Sequence, residues 1–375
     1  MAEAKPGAGL RSVVVAESRI SSIDGQKGVL AYRGIDIHEL AEHSSFEETV
    51  HLLHEGALPT PAALLERRIT LAHERGVPEG VLDGLRRLPK GTHPMTALRT
   101  AVSALGAFDP EAGEVEPDAI ARQSQRLVAQ MATVVAAIDR IRNGREVVAP
   151  DPALAHAANF LYMLTGERPA ADPARAMDVA LVLHADHEFN ASTFAARVAA
   201  STLADLHGAI TAALATLKGP LHGGANEAVL KMLEEIGRED RVLPWLEAAF
   251  AAKKKIMGFG HAVYRTEDPR ATHLRRLSRR LGETNGQALW FRLSERVEAM
   301  VRKEKGLYAN VDFYSASVYR ALGIPSDLFT PVFAVSRVAG WTAHVREQLQ
   351  NNKLIRPEAD YQGPRDVRYV PLEKR

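Results

Sequence analysis

Four short segments of this 375-residue chain gather residue types that can move protons or hold anions. The first is His184-Ala-Asp-His187-Glu-Phe-Asn190, with two histidines three positions apart beside acidic groups. Such a pair can ligate a metal from one helical turn, donate to a substrate oxygen, or rest hydrogen-bonded at a helix junction. H-E-x-x-H is absent and no third ligand is evident. The second is Lys218-Gly-Pro-Leu-His222-Gly-Gly-Ala-Asn226, where Gly219 and Pro220 end one helix and another begins near Ala225. A helix N-terminus disfavours imidazolium, and a neutral His222 there can polarise a carbonyl. The plain alternative is a glycine turn that His222 caps.

The third segment carries Lys253, Lys254 and Lys255, then Gly258-Phe-Gly260-His261, Arg265 and Asp268-Pro269-Arg270. Val263 stands where a dinucleotide fingerprint needs its third glycine, so that reading fails. Free amides of a glycine bend beside cations can cradle phosphates, or the lysines are a solvated run beside a turn. Asp268-Pro269 reads as an N-cap with an N1 proline, which puts Arg270 in the first turn. A cation is misplaced there for the dipole, as an arginine held for an anionic ligand would be. The fourth is Lys303-Glu-Lys305 leading to Asn310-Val-Asp312-Phe-Tyr-Ser315. Asp312 is locally favoured as an N-cap; the alternative is a desolvated base among Phe313 and Tyr314.

The elements that position these segments are overwhelmingly helical. Apolar periodicity predicts helices over Phe46–Glu55, Ala62–Arg75, Thr96–Ala107, Ala119–Ile141 and Pro152–Thr165, and one long buried helix over Phe194–Leu217. It continues with Ala225–Gly237, Leu243–Ala252, Pro269–Leu281, Trp290–Lys303, Ser315–Leu322 and Pro331–Asn351. Asp151-Pro152 and Thr330-Pro331 are expected helix starts. Strand signals are confined to Ser12–Val15 and the hairpin-like Ile23–Tyr32, giving a mainly α protein with a small N-terminal β element. Zero cysteine excludes disulfides, thiolate metal sites and cysteine nucleophiles. Forty-seven Lys+Arg against 46 Asp+Glu, a net +1, argues against a nucleic-acid surface. Met1–Leu10 lacks the apolar core of a signal peptide and no window matches a membrane span, so a cytoplasmic protein is expected.

A carboxylate, neutral imidazoles and scattered arginines suit carbon–carbon bond formation through an enol. The segments also resemble the catalytic motifs of citrate synthases. The likeness rests on Pro220-Leu-His222-Gly-Gly-Ala-Asn226, on Gly258-Phe-Gly260-His261-Ala-Val-Tyr-Arg265 with Asp268-Pro269-Arg270, and on Asn310-Val-Asp312. It extends to Ser21–Gly25, Tyr32-Arg33-Gly34, the His184–Thr193 segment, Ser336-Arg337 through His344, and Ile355-Arg356-Pro357. The length also resembles that of the shorter, dimeric bacterial and archaeal form.

The resemblance implies a two-domain, all-helical fold. Residues 1–223 and 324–375 would form a large domain, and residues 224–323 a small mobile one that binds CoA. It implies Asp312 as the base toward acetyl-CoA, His222 as donor to the thioester oxygen and His261 as donor to the oxaloacetate ketone. His187, Arg270, Arg337 and Arg356 would hold oxaloacetate, with Arg356 donated to the partner subunit of a homodimer. CoA would contact Lys255, Ile256, Met257, Gly258, Phe259, Arg265, Lys303 and Lys305. No metal or cofactor is implied; CoA arrives with the substrate. A 2-methylcitrate synthase using propionyl-CoA is the nearest alternative, because one methylene discriminates weakly. A helical scaffold, and a hydrolase with a metal on His184 and His187, are the readings from other classes.

Overall fold

The structure, a computed structural model, describes residue 10 and residues 13–375. The stretch 1–9 read for a leader, and Ser12 of the expected first strand, lie outside those residues; Val13–Val15 have no regular structure. The β element is one antiparallel sheet in the order β1 (Ser21–Asp24), β2 (Val29–Tyr32), β3 (Ile35–Asp36). Its first turn forms where Asp24-Gly25 predicts it, because Asp24 Oδ1 accepts from the amides of Gln26 and Lys27, both at 3.1 Å.

Helices make up the rest. They are α1 (Ile37–His43), α2 (Phe46–Glu55), α3 (Pro61–His73), α4 (Glu79–Arg86), α5 (Pro94–Phe108), α6 (Pro117–Arg142), α7 (His156–Thr165) and α8 (Ala171–His184). The second half holds α9 (Ala191–Ser201), α10 (Leu206–Leu217), α11 (Ala225–Ile236), α12 (Val242–Ala251), α13 (Pro269–Thr284), α14 (Ala288–Lys305), α15 (Val311–Ala321) and α16 (Phe329–Gln350). The core is built around α6 and α16, which pack together and are buried around most of their circumference; α2, α8, α9 and α10 also pack on α16. A second group packs α11, α13 and α14 around α15. Among the described residues no helix is long and apolar enough to cross a membrane.

Three helix expectations are corrected. The long helix over Phe194–Leu217 is two helices, α9 and α10, joined by a turn in which Leu203 has φ 63° and Asp205 caps Gly208 N–H. Asp151-Pro152 starts no helix: Asp151 accepts from Ala153 N–H and α7 begins at His156. Thr330-Pro331 is not a start either, since α16 already runs from Phe329. Helices α1, α4 and α8 have no counterpart in the periodicity reading.

Candidate active site

Two helix N-termini meet through Asp268. It is the N-cap of α13, accepting from Arg270 N–H, and it also accepts from Val311 N–H at the start of α15 at 3.1 Å. Its carboxylate grips the Arg270 guanidinium twice, at 2.9 and 2.7 Å, with both side chains almost fully buried. Burial pushes the Asp268 carboxyl up, but Arg270 outweighs it and holds the group below its ordinary range. Arg270's apparent misfit with the helix dipole is therefore answered inside the protein, by a carboxylate on the N-cap.

The cap of α15 is Asn310, whose Oδ1 accepts from Asp312 N–H at 3.0 Å. This overturns the local reading of Asp312 as a cap. Asp312 sits two positions into the helix, and its carboxylate has no hydrogen-bond donor among the described residues. Burial pushes it up to about 6, against the opposing charges of Arg270 and Arg337.

The two glycine-flanked imidazoles are locked in opposite tautomers. His261 Nδ1 accepts from the amides of Val263 and Tyr264 at 3.0 and 3.2 Å, so Nε2 carries the proton. His222 Nε2 accepts from Ser192 N–H at 3.3 Å and lies 2.8 Å from Ser192 Oγ, so its proton is on Nδ1. Ser192 is at the second position of α9, so the helix terminus acting on His222 includes that of α9 as well as the nearby start of α11. Both rings are held neutral, near about 4: burial is the main cause, with Arg337 adding to it at His222 and Arg270 at His261. The turn bearing His222 lies so close to its neighbours that a Cβ on Gly223 would stand 2.3 Å from Leu217 O.

Arg337, 2 % exposed on α16, donates Nε–H to His184 O at 2.7 Å and lies over the Phe333 ring at 4.5 Å. No carboxylate pairs with it among the described residues, and burial lowers its guanidinium to about 10. His187 is buried with Nε2 3.2 Å from Tyr264 OH. Burial, then Arg270, lowers it well below an ordinary histidine. His184 points elsewhere, bonding Ala180 O at 2.7 Å and packing on Phe333 and Tyr319. His184 and His187 therefore do not converge, and among the described residues no three His, Asp or Glu are arranged to hold a metal.

Beside His261 lies a cavity of about 180 Å³, lined also by Gly260, Asp268, Leu307 and Asn310. Its wall is a paired loop: Gly260 N–H bonds Tyr308 O at 3.0 Å and Asn310 N–H bonds Gly258 O at 2.9 Å. Gly258 has φ 81°, and a Cβ there would stand 2.8 Å from Phe313 and Val229. Ile256 and Phe259 are buried and Met257 half-buried, whereas Lys255, Arg265, Lys303 and Lys305 are exposed. Among the described residues no hydrogen bond or ion pair ties Arg356 to this site. Arg356 is exposed, and neighbouring Ile355 is tied to Ser201 Oγ at the far end of α9 from Ser192. Nine residues of helix separate those anchors, roughly 13 Å at about 1.5 Å per residue.

Residues 9–358 match a family profile described as citrate synthase, C-terminal domain. The chain belongs to the citrate synthase family. "Citrate synthase 2" of Bacillus subtilis is 50% identical over 368 residues, covering 98% of each chain. A "2-methylcitrate synthase" of Shewanella oneidensis is 41% identical over the whole of both chains. A Thermoplasma acidophilum citrate synthase, solved with carboxymethyl coenzyme A and oxaloacetate, superposes with TM-score 0.92 at 34% identity, covering 97% of this chain and 98% of its own.

Within this citrate synthase fold, the contacts of two site residues escape a sequence reading. Ser192, which fixes the His222 tautomer, lies thirty positions before it, and no local pattern links the two. Asp268 is legible as a cap, but its grip on Arg270 and on α15 needs the folded chain.

Proposed function

We propose that the chain condenses acetyl-CoA with oxaloacetate and hydrolyses the resulting citryl-CoA to citrate and CoA. The observation that carries this reading is Asp312: a half-buried carboxylate with no protein donor, pushed up to about 6 by desolvation, with neutral His222 and His261 in the same site. Asp312 takes a proton from the acetyl methyl group while His222 Nδ1–H donates to the thioester oxygen, so charge is stabilised as it develops. The enol carbon attacks the ketone of oxaloacetate, and His261 Nε2–H donates to the ketone oxygen as it becomes a hydroxyl. Water then cleaves the citryl thioester, giving citrate and free CoA thiol.

Arg270, Arg337 and His187 hold the oxaloacetate carboxylates; the missing carboxylate partner of Arg337 supports this. Asp312, His261 and Arg270 lie within residues 224–323, whereas His187, His222 and Arg337 lie outside. We therefore assign 224–323 as a small domain that closes on the remainder, with oxaloacetate bound first so that acetyl-CoA meets a dry site. CoA lies along the Ile256–Phe259 backbone, with Lys255, Arg265, Lys303 and Lys305 on its phosphate side. Arg356 serves the partner's site in a homodimer, which its separation from Ser192 supports. The reaction is assigned to the cytoplasm.

The second reading, 2-methylcitrate formation from propionyl-CoA, is favoured by the full-length match to a relative of that name. Comparing kcat/KM for the two thioesters separates them. A higher value for acetyl-CoA supports the first reading and a higher value for propionyl-CoA overturns it.

A further inference from the structure

Tyr264 has no role in the scheme above, yet it stands among three of its groups. Its side chain is 3 % exposed, although it sits in a loop. The ring packs against His261 at 4.6 Å and His187 at 5.6 Å between centroids. Its hydroxyl lies 3.2 Å from His187 Nε2, and it borders the cavity beside His261. Its backbone amide helps fix the His261 tautomer. The loop is pinned from outside by Arg265 N–H donating to Gly25 O at 2.8 Å in the β1–β2 turn.

The geometry points to Tyr264 as a positioning residue for the acceptor dicarboxylate, its hydroxyl orienting His187 and its ring orienting His261. This rests on the assignment of oxaloacetate as acceptor. The phenol can donate its proton to His187 Nε2, which leaves the single N–H of the neutral imidazole on Nδ1 to donate to a substrate carboxylate, so Tyr264 acts on the acceptor through His187. The phenol stays protonated at working pH, because burial raises its pKa. Residues 187 and 264 come from opposite sides of the proposed domain boundary, so this bond also spans the closing surfaces. A tyrosine placed only for packing would need no hydroxyl there.

The test compares the parent enzyme with Tyr264→Phe and Tyr264→Leu, measuring CoA release at varied oxaloacetate and acetyl-CoA. Removing the hydroxyl alone is expected to raise the oxaloacetate KM about tenfold, the scale of one lost buried hydrogen bond. The acetyl-CoA KM and kcat should move less than about threefold. Tyr264→Leu, which also removes the ring behind His261, should lower kcat as well. An unmoved oxaloacetate KM in a folded Tyr264→Phe enzyme would overturn the inference while leaving the acceptor assignment intact. A parent enzyme that releases no CoA with oxaloacetate would overturn both. Thermal unfolding of the ligand-free variants separates misfolding from a binding defect. If Tyr264→Phe melts with the parent and its oxaloacetate-induced Tm rise shrinks, the inference stands.

Discussion

Arg337 offers the sharpest test of what the site is organised to hold. Its guanidinium is 2 % exposed, lacks a carboxylate partner, and is lowered to about 10 by burial. That displacement from an ordinary guanidinium corresponds to about 3 kcal/mol against keeping the charge in the ligand-free protein. Arg337→Met removes the charge but keeps comparable volume. It also loses the hydrogen bond to His184 O and the contact with the Phe333 ring, each worth about 1 kcal/mol. The remainder is a net stabilisation of about 1 kcal/mol, a Tm rise of about 2 °C in a chain of this size. Calorimetry of ligand-free parent and variant at pH 8 measures it directly. The same scans with oxaloacetate at about a hundred times its Kd should raise the parent's stability by about 2.7 kcal/mol and leave the variant unmoved. A ligand-free variant melting several degrees below the parent, or one keeping the oxaloacetate response, would refute an arginine held at a cost for an anion.

Further outcomes follow from the same geometry. Asp312→Asn should lower kcat about 10²- to 10⁴-fold while the parent's kcat/KM for acetyl-CoA rises through a one-proton limb near pH 6, measured by initial rates across pH 5–9. Because the folded Asp312 pKa lies above its unfolded value, its ionised form opposes folding; that penalty is absent below about pH 4 and complete above about pH 6. The Tm gain of Asp312→Asn should therefore be larger at pH 8 than at pH 4.5. His38 Nδ1 lies 2.7 Å from His273 Nε2, joining α1 to α13, with Asp36, Glu42 and Arg276 around the pair. Burial, then His38, lowers His273 to about 4, so its stability contribution is complete above about pH 6.5 and is lost as pH falls toward 4. His273→Gln should flatten the acid side of a Tm–pH curve, and an unchanged slope would remove the pair from that role. For Arg356, mixing and reassociating inactive Arg356→Gln and Asp312→Asn chains should restore about a quarter of parent activity, because half the dimers would be mixed and each would regain one complete site. No recovery in proven mixed dimers would place Arg356 in its own chain's site or in none.

The sequence discloses the helices with apolar contrast between faces and hides those without it. Helix α2 appears at its observed bounds because its apolar positions recur at helical spacing and Ser45 with Glu48 forms a capping box. Helix α8 is buried along most of its second half, so it offers no polar face to set the period. The α9–α10 break contains neither Gly nor Pro; Leu203 pays the left-handed conformation and Asp205 starts the next helix. Asn310 and Asp312 are both good cap residues two positions apart, and only the folded backbone decides between them. The residues proposed for chemistry are named by motif, whereas Ser192, Asp268 and Tyr264 gain meaning only from contacts between distant segments.

The most direct measurement is thiol release from acetyl-CoA by the purified enzyme, with and without oxaloacetate and with citrate quantified. Release that depends on oxaloacetate and matches citrate mole for mole is the predicted result. Equal release without oxaloacetate, or release with no citrate formed, would contradict the account.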